Sequence, residues 1–202
     1  SATDLITFTR ASGGTALRKV SYGSELVTNG TFDSDTDWTK GTGWTIGSGT
    51  ASCNGTQTGN ANLYQSGVIT DLLLYKITYT ISNYSSGTVK SVPNGNTGGA
   101  LRSANGTYTE IILANSGGDG KFYIQGNSAF VGSIDNVSVK EVLYDQPDGT
   151  LQLFNSPANV PRIEYNADGT VKGLLIEEAR TNLLTYSEDF TNASWNKAQT
   201  SI

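Results

Sequence analysis

Eight consecutive residues, Tyr75-Lys76-Ile77-Thr78-Tyr79-Thr80-Ile81-Ser82, alternate without a break. In an extended strand Tyr75, Ile77, Tyr79 and Ile81 share one face, and Lys76, Thr78, Thr80 and Ser82 share the other. A strand with one apolar face needs a second layer to cover it. Other segments supply that layer. Ile111-Ile112-Leu113, Lys121 to Gln125 and Ile134 to Val142 read as strands, the last with Ile134, Asn136 and Ser138 set against Asp135, Val137 and Val139. Ala61 to Gln65 and Thr88 to Val92 carry a weaker pattern. Asn54-Gly55, Asn94-Gly95, Asn105-Gly106 and Gly117 to Gly120 punctuate these segments with residues that tolerate the positive φ of tight turns. Many short strands with regular turns predict an all-β chain whose main part is an antiparallel jelly-roll β-sandwich.

Composition removes several function classes. Only 15% of the 202 residues are charged and the net charge is -5. No Lys/Arg cluster occurs, which argues against nucleic acid or an anionic membrane as partner. No apolar run approaches membrane-spanning length, so no membrane insertion is expected. His is absent, which removes Ser-His-Asp and Cys-His catalysis and the usual zinc sites. Cys53 is alone and reads as a small buried or half-buried residue. Glu177-Glu178 are adjacent, and Glu25, Glu110, Glu141 and Asp119 are scattered, yet nothing singles out a glycosidase-like pair. Gly117-Gly118-Asp119-Gly120 lacks the Lys and Ser/Thr of a phosphate loop and reads as a hairpin. The chain is therefore expected not to be an enzyme.

A phrase recurs along the chain. Leu26-Val27-Thr28, Trp38 and Lys40 match Leu183-Leu184-Thr185, Trp195 and Lys197 in step. Phe32 and Phe190 match with a one-residue gap. The early copy opens a segment of module size, and the late copy is followed by only a few residues. Four parts are expected. Residues 1–25 hold a strand at Leu5 to Thr9 and a turn at Gly13-Gly14. Residues 26–142 form the jelly roll. Residues 143–181 form a small connecting β element, with strands at Leu151 to Phe154, Arg162 to Tyr165 and Val171 to Ile176, a hairpin turn at Asn166 to Gly169 and a short helical turn at Glu177 to Arg180. Residues 182–202 begin a second, truncated module. The strands of 143–181 are too few for a core of their own, so they are expected to pair with 1–25 or with copies of themselves. The sandwich is then an insertion in the connecting element.

Aromatic residues among polar neighbours are the candidate binding residues. Sugar rings stack their C–H faces on Trp and Tyr, while Asn, Gln and Asp satisfy the hydroxyls. Trp44, Tyr64, Tyr84, Tyr108 and Tyr123 fit that description. Tyr123 leads, because it alternates with Phe122 and Ile124 and faces away from the core if they face in. Tyr75 and Tyr79 read as core, and Trp38 as a recurrent structural position. Asp33, Asp35 and Asp37 alternate in a polar loop, a pattern that can wrap a hard cation or simply form a solvated turn.

Two resemblances refine these expectations. Val160-Pro161-Arg162-Ile163-Glu164-Tyr165, Gly173-Leu174-Leu175-Ile176-Glu177-Glu178-Ala179-Arg180-Thr181-Asn182-Leu183-Leu184 and Tyr186 to Phe190 resemble a recurrent stretch of bacteriophage tail-fibre and virion adhesin proteins. Thr7-Phe8-Thr9-Arg10-Ala11-Ser12 resembles the phrase that opens the same unit. Asn29-Gly30-Thr31-Phe32-Asp33 and Ile134-Asp135-Asn136-Val137-Ser138-Val139 are similar to the start and end of jelly-roll carbohydrate-binding modules. The resemblances imply a virion fibre or adhesin on the particle surface that binds bacterial surface glycan without catalysis. They also imply contact with other virion proteins and a homotrimer. Carbohydrate-binding modules of this kind often hold a structural calcium. By position Asp33 and Asp135 would supply carboxylates, with backbone oxygens near Asn29 and Thr31. No sugar contact carries over, because the binding face varies. The alternative is a structural spacer or decoration domain that binds no sugar. A depolymerase is the third reading.

Overall fold

The computed structural model describes residues 14–95, 98–156 and 161–174. The strand expected at Leu5 to Thr9, the turn of Glu177 to Arg180 and the truncated module of 182–202 lie outside the described residues. Within them the chain forms thirteen strands and no helix. These are β1 (Gly14–Glu25), β2 (Thr39–Lys40), β3 (Trp44–Gly47), β4 (Thr50–Asn54), β5 (Ala61–Ser66), β6 (Leu74–Ser86) and β7 (Val89–Pro93). They continue as β8 (Gly106–Leu113), β9 (Lys121–Gly126), β10 (Val131–Tyr144), β11 (Thr150–Ser156), β12 (Ile163–Tyr165) and β13 (Val171–Leu174).

Two antiparallel sheets face each other. The smaller has the order β2-β5-β9-β7. In the larger, β8 pairs with β6 and β6 with β10. The far edge of β10 is shared. Its first residues pair with β4, which pairs with β3, and its last residues pair with β1, which pairs with β11. From β4 to β10 every connection crosses between sheets, with even-numbered strands in the larger and odd-numbered ones in the smaller. Crossing at each step is how a jelly roll winds. The hairpin β12–β13 stands apart as a two-stranded sheet.

Alternation builds the core. Tyr75, Ile77, Tyr79 and Ile81 of β6 are buried, as are Phe122 and Ile124 of β9 and Ala61 and Leu63 of β5. They join Phe32, Trp38, Trp44 and Phe130 in one cluster between the sheets. Cys53 belongs to it, and burial pushes its thiol up. β10 departs from simple alternation. Ile134 and Val137 were expected on opposite faces, yet both are buried. The register with β6 shifts between Asp135 and Ser138, and Asn136 takes φ 51°. This bulge inserts one residue and turns Val137 back to the core.

A second cluster occupies the other face of the larger sheet. Val20, Leu74, Val142 and Phe154 are buried there, and Leu74 points opposite to its neighbour Tyr75. Beside it Arg18 is 1% exposed. Its guanidinium pairs with Asp145, donates to the Pro161 carbonyl oxygen (2.9 Å) and lies 4.2 Å from the Tyr144 ring centre. The expected boundary at 142/143 falls inside β10, so the connecting strands extend the sandwich sheet without a break.

Candidate functional site

Strands β5 and β9 run in register, with Tyr64 opposite Tyr123 and Asn62 opposite Gln125. Because Leu63, Phe122 and Ile124 fill the core, their neighbours in sequence must point outward. Tyr64 and Tyr123 therefore stand side by side on the outer face of the smaller sheet, ring centres 5.2 Å apart and tilted by 43°. Gln125 donates to Asn62 Oδ1 (3.0 Å) one row away. β7 adds Val92 opposite Tyr123.

This face is the floor of an open groove of about 350 Å³. Asn62, Tyr123, Gln125 and Val92 line it, and Asn94, Gly95, Gly117, Gly118 and Asp119 form a wall. Asn94 holds that wall together. It is fully buried at φ 65°. Its amide donates to Asp71 and to the Asn115 carbonyl oxygen (2.7 Å), and its Oδ1 accepts from Gly120 N–H (2.8 Å). Gly118 packs so tightly there that a Cβ would overlap the Asn94 amide. Asp71 also accepts Gly117 N–H (2.8 Å). The Asn94 amide, then the Gly117 N–H, hold the Asp71 carboxyl below its ordinary range.

Asp119 ties the wall to the floor. The Tyr123 hydroxyl donates to it, as does Lys121 N–H (3.2 Å), and the Lys121 ammonium lies 3.4 Å away. Desolvation alone would raise its pKa, but these hydrogen bonds outweigh it and hold the carboxyl below the usual range. Desolvation, then the carboxylate, push the Tyr123 hydroxyl up. The same ammonium sits 5.3 Å from the Tyr64 ring centre. Surface amides, two partly open rings and a carboxylate can together stack a sugar and satisfy its hydroxyls.

The five aromatic candidates do not share one surface. Tyr64 and Tyr123 meet. Trp44 is corrected to a core residue: it is 4% exposed, packs on Phe130 (5.9 Å) and donates its indole N–H to the Ala61 carbonyl oxygen (3.2 Å). Tyr84 and Tyr108 belong to the larger sheet and pack against the main core. Their hydroxyls donate to the carbonyl oxygens of Gly87 (3.0 Å) and Ala104 (2.9 Å). Tyr108 also lies against Tyr79, under the Arg102 guanidinium. Neither reaches the groove.

The calcium candidates lie where the module's start meets its end, since Val137 N–H donates to the Gly30 carbonyl oxygen (2.8 Å). Their oxygens are engaged within the protein. Asn29 O accepts from the Trp38 indole (3.0 Å) and from Phe32 N–H (3.2 Å). Asp33 accepts from the Thr31 hydroxyl (2.7 Å), and Asp135 from the Asn136 N–H (2.6 Å) and side-chain amide (3.0 Å). Among the described residues no group of three or more His, Cys, Asp or Glu could hold a metal. Calcium takes six to eight oxygens, and as placed Asn29, Thr31, Asp33 and Asp135 do not by themselves fit it.

Sequence reasoning did not single out Asn62, Val92, Asn94, Gln125 or Asp119 as binding residues. The alternation that exposes Tyr123 also exposes Gln125, so that one was within reach. Asn94 and Asp119 come from separate turns, and no local pattern joins them.

No protein-family model matches this chain, and no curated protein matches it. A solved structure described as "CBM4 structure and function" is similar over 57% of this chain and 99% of its own, at 15% identity and a TM-score of 0.40.

Proposed function

We propose that the outer face of the smaller sheet binds glycan without catalysis. One observation carries this reading: Tyr64 and Tyr123 stand together and partly open, with Tyr123 lining a groove whose other polar side chains are three amides and a carboxylate. Core economy does not explain the pair, since Leu63, Phe122 and Ile124 already fill the interior. The sequence resemblance to virion adhesins supports bacterial surface polysaccharide as the ligand and the phage particle surface as the setting. A homotrimer and other virion proteins as partners rest on the same resemblance.

The spacer reading has its own observation. The outer face of the larger sheet carries a hydroxyl ladder, Thr78 to Thr109 (3.0 Å) and Thr80 to Thr107 (2.9 Å), with no aromatic among these rows. Such a face spends its hydroxyls on itself.

The test is binding of the purified chain to a panel of bacterial surface polysaccharides. Saturable binding that falls at least about tenfold in Tyr123→Ala, the scale of a lost stacking contact, is expected. Tyr108→Ala is the control and should bind unchanged when folded. Failure of the folded wild-type chain to bind any member would leave the spacer.

A further inference from the structure

We propose that Asp119 makes the groove discriminate on charge, so that it takes neutral glycans and turns away anionic, uronate-bearing ones. This rests on the glycan-binding reading and concerns the same groove.

Asp119 stands on the groove wall with 39% of its side chain exposed. Gly95 leaves it uncovered: the position a Cβ would take lies 3.4 Å from Oδ1 and holds no atom. Asp71 adds a second carboxylate behind the same wall, bound to Asn94 and Gly117. Of the nearby cations one is already paired and the other is turned toward Gly98. The Lys121 ammonium is held between Asp119 and the Tyr64 ring. The end of Lys90 lies against Gly98, where it occupies the space of a side chain. No Lys or Arg is among the described residues that line the groove. A ligand carboxylate entering there meets two like charges and one cation that is already paired. The network around Asp119 favours its charged form, so neutralisation does not relieve the repulsion at neutral pH. Exposure and the Lys121 partner reduce the repulsion toward its value in water, which corresponds to a discrimination of about fivefold.

The experiment uses the full chain and matched polymers. Glucan, mannan and galactan are each presented beside their C6-oxidised, carboxylate-bearing forms, at low salt, by affinity electrophoresis. The expected result is binding of at least one neutral polymer about fivefold tighter than its oxidised form. Asp119→Asn keeps an acceptor oxygen and removes the charge, and should bring that ratio to within about twofold. An oxidised form bound as tightly as its neutral parent would overturn the charge inference and leave glycan binding intact. A ratio unchanged in Asp119→Asn would remove Asp119 as its source. If folded protein binds neither form of any polymer, the glycan-binding reading falls, and the inference with it.

Discussion

Trp44 and Tyr123 show how little an aromatic residue declares about its duty. Both stand among polar neighbours in the sequence. Trp44 starts β3 on the inward side and closes the core against Phe130, while Tyr123 sits between two inward residues and so faces out. Trp44→Ala should therefore cost stability, about 3–5 kcal/mol on the scale of large-to-small core substitutions. Urea unfolding would read this loss; a loss under 1 kcal/mol would mean that the indole is not core. Charge at the groove wall makes a second prediction. Asp71 and Asp119 both have carboxyls held below their ordinary range in the folded state. A depressed pKa adds stability that is present above the unfolded value, about 3.9, and is lost as pH falls through the folded one. The melting temperature should thus be nearly flat from pH 7 to pH 5 as far as these two groups are concerned, and fall below pH 4. Asp71→Asn should flatten part of that fall; an identical acid limb in the variant would count against the network.

At the scale of elements, the wall of the groove depends on one buried amide. Asn94→Ala strips a partner from Asp71, from the Asn115 carbonyl and from Gly120 N–H. A hydrogen bond whose partner can be hydrated contributes about 0.5–1.5 kcal/mol, so the loss of these should destabilise modestly and loosen the turn from Asn115 to Gly120. Faster amide hydrogen exchange at Gly117 and Gly120, with β6 unchanged, is the expected signature; uniform acceleration would point to global destabilisation alone. β6 and β9 were legible in the sequence because their alternation is unbroken. β10 was legible as a strand and not in phase, since a bulge at Asn136 can be seen only against its partner strand. β1 was not legible as a strand because its buried face is Ala16, Arg18 and Val20, and a buried arginine makes sense only once Asp145 and the Pro161 carbonyl are beside it. β2, β3 and β4 are short and rich in Thr, Ser and Gly, so they carry little period to read. Tyr123 was found by the same alternation that found its strand, while the wall residues required two separate loops to be folded together. The contact between the segments from Asn29 to Asp33 and from Asp135 to Val137 was anticipated from resemblance as a calcium site. Asp33 and Asp135 would each bring a carboxylate to such a site, and melting with and without chelator tests it: a drop of several degrees that calcium restores supports the ion, and an unchanged melting temperature counts against it.

On the scale of the whole molecule, the sandwich and its connecting strands share β10. Its first half serves the jelly roll through β4, and its second half carries β1 and, through it, β11. The second hydrophobic cluster draws one residue from each of β1, β6, β10 and β11, so neither part owns it. Glu25 fastens the joint, accepting from Val139 N–H (2.7 Å) and the Ser138 hydroxyl (2.6 Å) where β1 leaves the sheet. An insertion tethered by a loose linker would melt independently of its host, whereas a shared strand couples the two. The full chain should therefore unfold over these strands in one cooperative transition. A chain cut to 26–142 ends β10 two residues early and exposes Leu74 and Val142, whose partners Val20 and Phe154 are gone. Its melting temperature should fall by several degrees or more, because uncovering buried aliphatic side chains costs about 1.5–3 kcal/mol each. Calorimetry of both chains decides the matter. Two separate transitions in the full chain, with the 26–142 piece melting at the same temperature as one of them, would show that the connecting strands merely lean on the sandwich and that the groove needs nothing from them.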